Sequence, residues 1–151
     1  MTVSAAPRWL LDVNLLLALT WPHHLHHALA RQWFLALPRR PWSSCAVTQL
    51  GFVRVSSNPS FAADAVPPPE ALRLLARFCA QTDHLPLPDL PPADLAPLHA
   101  PGLVGHRQVT DAYLLGLAHR AGHRFATLDR RLLPFSDIAT PGVADCIGIA
   151  A

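Results

Sequence analysis

Apolar runs alternate along the chain with amphipathic stretches, and the alternation predicts successive β and α elements. Arg8 to Val13 reads as a buried first strand. Pro22 suits the first turn of a helix that reaches about Leu37, with Leu25, Ala28, Leu29, Trp33 and Leu37 on one face. Pro38 to Pro41 breaks it. Trp42 to Val47 predicts a second strand, and Thr48 the cap of a helix through Val55 that Asn58 and Pro59 stop. Three prolines, Pro67 to Pro69, precede a helix from Glu70 to about Gln81, in which Ala71, Leu74, Leu75 and Phe78 share a face. The stretch from His84 to Gly102 is proline-rich, with a short strand at His84 to Leu87 and a short helix from Asp94 to His99. Arg107 to Ala121 predicts a further helix stopped by Gly122, and strands follow at His123 to Leu128 and Asp145 to Ile149. Alternating elements of this kind favour a parallel sheet covered by helices on both sides. No repeat or second domain is visible, so one domain is expected over residues 1–151.

Composition narrows the class. At 151 residues, 51% hydrophobic and 15% charged, the chain suits a packed core and not disorder. The apolar run from Leu10 to Trp21 is too short to span a bilayer and is interrupted by Asp12 and Asn14. Met1 to Pro7 lacks a basic flank ahead of an apolar core, so no signal peptide and a cytoplasmic location are expected. Cys45, Cys79 and Cys146 match no zinc spacing and read as free thiols. Net charge is only +2, which excludes a strongly basic nucleic-acid tail, yet all 12 basic residues are arginine. Arginine forks suit phosphate, although a GC-rich genome also favours arginine over lysine.

Candidate chemistry centres on Asp12, Asp111 and Asp129, each placed where an apolar run breaks into a turn or a new helix. In an open parallel sheet the carboxyl ends of strands and the adjoining helix starts converge on one crevice. Acids gathered there repel one another unless a cation lies between them, which predicts a Mg²⁺ or Mn²⁺ site. Asn14 is placed to donate to Asp12, Thr110 to cap the helix that Asp111 opens, and Thr127 to hold substrate or water; turn and cap chemistry explains all three equally well. Arg54, Arg107, Arg130 and Arg131 flank these motifs as a candidate phosphate-contacting rim, with ordinary solvation as the alternative. His106 adjoins Arg107 at the entry to the Asp111 helix. Helical spacing puts His23 on one face with His26 and His27, which permits a transition-metal site in principle. No carboxylate or cysteine nearby completes it, and a helix start with one histidine facing the crevice is the plainer reading of His23, His24, His26 and His27.

Four segments in order, Leu10 to Asn14, Thr48 to Val55, Val109 to Leu114 and Ala126 to Asp129, resemble the successive motifs of a PIN domain. With Ser56-Ser57-Asn58-Pro59 they resemble the VapC ribonuclease toxins of type II toxin–antitoxin pairs, over nearly the whole chain. The resemblance implies a three-layer α/β/α sandwich with a mainly parallel central sheet. It implies Mg²⁺-dependent cleavage of RNA, tRNA or rRNA among the possible targets, at Asp12, Asp111 and Asp129. It also implies homodimerisation and a VapB-type antitoxin. Gln49 departs from the pattern, standing where the family usually carries a glutamate. Its amide oxygen can ligate weakly or hold a metal-bound water, but it adds no charge. The alternative is therefore a degenerate PIN domain that binds RNA or antitoxin without cutting. A histidine-based metalloenzyme is a second rival. A haloacid-dehalogenase-type phosphatase fails because Asn14 stands where its second aspartate belongs.

Overall fold

The computed structural model describes residues 6–61, 63–91, 105–132 and 143–147. In chain order the elements are β1 (Trp9–Leu11), α1 (Val13–Thr20), α2 (His27–Ala36), β2 (Trp42–Ser44), α3 (Ala46–Ser56) and α4 (Pro68–Gln81). There follow β3 (His84–Pro86), a 3-10 turn (His106–Gln108), α5 (Val109–Arg120), β4 (Arg124–Thr127) and β5 (Ala144–Cys146).

The five strands form one sheet in the order β3-β2-β1-β4-β5, and every pairing is parallel. Alternation along the strands sorts side chains into two cores. Trp9, Leu11, Trp42 and Ala126 pack with residues of α1 to α4 on one face. Leu10 and Phe125 pack with Leu114, Leu115 and Ala118 of α5 on the other. The result is the expected α/β/α sandwich, with a sheet that is parallel throughout. From β1 the chain works outward through β2 and β3, then returns to the far side of β1 for β4 and β5. The order therefore reverses between β1 and β4, the place where an open parallel sheet forms a crevice beyond the carboxyl ends of its strands.

Several boundaries differ from the sequence pattern. The pattern assigns no element to residues 14–21, yet Val13 to Thr20 is helical. Leu15, Leu16, Leu17 and Ala18 are all buried, so this short helix shows no polar face and its apolar run mimics a strand. The next helix starts at His27 and not at Pro22; residues 22–26 form a turn between α1 and α2. The second strand ends at Ser44, because Cys45 takes the cap position of α3. Thr48 is not that cap: its Oγ1 accepts from the Cys45 backbone N–H at 3.0 Å, reaching back from the first turn. The expected helix from Asp94 to His99 lies outside the described residues, as does Ile149 of the last strand. All three cysteines are free. No helix among the described residues is long and apolar enough to cross a membrane.

Candidate active site

Asp12 follows β1 and caps α1, with extended backbone (φ −66°, ψ 157°). Its Oδ1 accepts the Val13 backbone N–H at 2.7 Å, as an N-cap carboxylate does. Its Oδ2 accepts the Thr127 hydroxyl at 2.7 Å, so the ends of β1 and β4 are joined at the switch point. Thr127 is fully buried and its hydroxyl is saturated. Besides donating to Asp12, Oγ1 accepts from Asn14 Nδ2 at 3.1 Å and from the Asp129 backbone N–H at 3.0 Å. Asn14 Oδ1 in turn accepts the Leu128 backbone N–H at 3.1 Å.

Two expectations change here. Asn14 reaches Asp12 only through Thr127 and does not donate to it directly. Thr127, with no exposed surface, braces the acids and is out of reach of substrate or water.

Asp111 lies in the first turn of α5, where the helix dipole favours a negative side chain. Thr110 does not cap this helix, since Gln108 holds the cap position and Thr110 is an exposed residue of the first turn. The Asp111 carboxyl is pushed up to about 6, by burial first and then by the charges of Asp12 and Asp129. Burial also raises Asp12, and the Asp129 charge adds to the effect. Asp129 moves the other way, because Arg131 holds it through Nε and Nη2, each at 3.0 Å. Three carboxylates from separate segments thus act on one another across one crevice. Among the described residues, no three histidine, cysteine, aspartate or glutamate side chains are gathered closely enough to hold one ion in common as they stand.

The remaining candidates scatter. Gln49 is in the second turn of α3, and its Nε2 donates to Ser44 Oγ at 2.9 Å. Arg54 is exposed, five residues or about 7.5 Å of helix beyond Gln49 and away from the crevice. Arg130 is exposed in the turn after β4. Arg107 belongs to the 3-10 turn before α5, and its side chain lies outside the described residues. Arg131, read from sequence as a phosphate contact, is instead the partner of Asp129. An acid two residues before an arginine in a turn was the available signal for that pair.

The histidines lie elsewhere. His23 to His26 belong to the turn beyond the C-terminal end of α1, and α1 places that end about 10 Å from Asp12. Their shared helical face does not exist, because only His27 is helical. His27 Nδ1 bonds the Ala18 carbonyl at 2.7 Å, and His24 Nδ1 accepts the His26 N–H at 3.0 Å. Neither the zinc-type reading nor a histidine facing the crevice fits this placement.

A parallel sheet ordered β3-β2-β1-β4-β5 with acids meeting at its point of reversal defines a PIN-type α/β/α fold. No protein-family model matches the chain. It is 46% identical over 120 residues to ribonuclease VapC38 of Mycobacterium tuberculosis, covering 80% of this chain and 84% of that protein. It is 37% identical over 139 residues to ribonuclease VapC39 of the same species, covering 91% and 98%, and 41% identical over 131 residues to ribonuclease VapC44, covering 83% and 88%. The chain belongs to the VapC ribonuclease family. Its fold is also similar to that of PAE2754 from Pyrobaculum aerophilum, with a TM-score of 0.59 at 20% identity, over 91% of this chain and 83% of that one.

Proposed function

We propose that this protein is a metal-dependent endoribonuclease, the toxin of a type II toxin–antitoxin pair, cutting RNA at the crevice of Asp12, Asp111 and Asp129. The observation that carries the reading is the mutual charge of these acids around the buried Thr127 brace. Burial, and then the charges of Asp12 and Asp129, lift Asp111 to about 6, and a cation bound there offsets both. The donor set is all carboxylate and amide oxygen, which suits Mg²⁺ or Mn²⁺ and not a soft metal. Asp12 and Asp111 are the proposed direct ligands, with Asp129, already paired with Arg131, acting through water. Such an ion, when bound, supplies charge neutralisation on the scissile phosphate and lowers the pKa of the attacking water. Asp12, held at both oxygens, keeps a fixed direction toward the ion.

The family relationship supports the RNA substrate and a VapB-type antitoxin partner. Purified protein and Asp12→Asn, each freed of partner, are to be compared on total RNA with Mg²⁺, Mn²⁺ and chelator. Cleavage that survives either Asp12→Asn or chelation rejects the mechanism. The competing reading, a non-cleaving PIN domain, is favoured by Gln49 alone: Gln49→Glu creates activity in a dead site and only changes the metal requirement of a live one.

A further inference from the structure

Gln49 is not a loose substitute for an acid, because its amide is anchored. Nε2 donates to Ser44 Oγ at 2.9 Å, and the same oxygen lies 2.7 Å from His84 Nε2. A hydroxyl has one hydrogen. Having accepted from Gln49, Ser44 can give that hydrogen to His84 in the tautomer whose Nε2 is unprotonated. Burial and the nearby Arg8 both lower the His84 pKa, which favours the neutral ring that this tautomer needs. The far end of the chain is also rigid. The His84 ring packs on Trp42 with centroids 4.5 Å apart, and β3 pairs with β2 from His84 to Pro86. Ser44 itself is fully buried.

This chain of bonds lies one strand over from the end of β1 that leads into Asp12. The register Leu10↔Ser43 sets Ser44 next to Leu11, the residue before Asp12, one strand spacing of about 4.8 Å away. The helix that carries Gln49 presses on the residue after Asp12: a Cβ on Gly51 would lie 2.7 Å from Val13 Cγ2. With Nε2 committed to Ser44, the other branch of the amide, Oε1, makes no hydrogen bond among the described residues.

We propose that Ser44 and His84 are positioning residues that hold the Gln49 amide with its carbonyl oxygen toward the Asp12 crevice, where it serves as a neutral oxygen donor to a bound divalent ion or its water. The proposal rests on the reading of the crevice as a cation site. It gives the missing glutamate a physical sense: a fourth carboxylate would add to the repulsion already borne by Asp111, whereas an oriented amide adds an oxygen and no charge.

The test is a cycle of Mn²⁺ affinities, by calorimetry, for the wild type, Ser44→Ala, His84→Phe, Gln49→Leu and the Gln49→Leu combinations. His84→Phe retains a ring on Trp42 and removes only the acceptor. The three single variants are each expected to weaken Mn²⁺ binding by up to about tenfold. Adding Ser44→Ala or His84→Phe to Gln49→Leu should cost nothing more. In metal-free protein the Gln49 side-chain amide signals in ¹⁵N NMR should shift in Ser44→Ala. Additive losses in the cycle, or amide signals that stay in place, overturn the proposal. Asp12→Asn separates the two readings. If it abolishes Mn²⁺ binding while the cycle is additive, only the positioning role falls; if the wild type binds no Mn²⁺, both fall.

Discussion

The Thr127 hydroxyl donates to Asp12 Oδ2 at 2.7 Å across 115 positions of sequence. That bond ties the last residue of β4 to the first residue beyond β1, and Thr127 Oγ1 also accepts from Asn14 Nδ2 and the Asp129 backbone N–H. The site is therefore assembled around a neutral, buried hydroxyl, with acids at its edges.

Thr127→Val keeps the shape and removes the hydroxyl. It leaves the Asn14 amide and the Asp129 N–H without their acceptor, so a loss of about 1–3 kcal/mol is expected from unfolding curves. Ribonuclease activity should fall with it, and Thr127→Ser should restore most of both. Equal stability of Thr127→Val and the wild type would show that the brace contributes nothing.

Asp111 makes a signed prediction for pH. Its carboxyl is raised in the folded protein from 3.8 to about 6, so between those values the native state binds more protons than the unfolded chain. Metal-free stability from this group is then present at low pH and is lost as pH rises through about 6. Asp12 acts in the same direction, whereas His24, His84 and His123, lowered mainly by burial, act in the opposite one. Comparison with Asp111→Asn isolates the group. In chelator the variant should be more stable than the wild type by about 1–2 kcal/mol above neutral pH, a figure already reduced for the half-exposed position. The gain should vanish near pH 4 and reverse when Mg²⁺ is added. Calorimetric melts across that range decide it; a gain that does not change with pH contradicts the electrostatic account.

Arg131 competes with any cation for Asp129, through a fork at 3.0 Å to each oxygen. Arg131→Gln should tighten Mn²⁺ binding by about two- to fivefold, the modest change expected of an exposed pair. Titration calorimetry reads this directly, and weaker binding in the variant would assign Arg131 a supporting role instead.

Gly51→Ala sets a gain in helix propensity of about 1 kcal/mol against a clash with Val13. Val13 is stiff and its N–H holds Asp12 Oδ1, so α1 must shift as α3 gives way. The expected outcome is stability within about 1 kcal/mol of the wild type with a clear drop in RNA cleavage. Unchanged activity would show that the contact is slack.

The order of the strands and of the other helices, the parallel sheet and the segments bearing Asp12, Asp111 and Asp129 were legible from apolar periodicity and from acids placed at its breaks. Those features are local, and each stretch of ten residues carries its own signal. Helix α1 was hidden because burial on every side erased the polar face that marks a helix. The roles around the acids were decided only by tertiary structure. Thr127 became a brace, Thr110 an exposed residue of the first turn, Arg131 an ion-pair partner and Gln49 an anchored amide, because their partners arrive from distant strands. Hydrogen-bond direction and burial belong to the assembled sheet, and no spacing along the chain encodes which hydroxyl will meet which carboxylate.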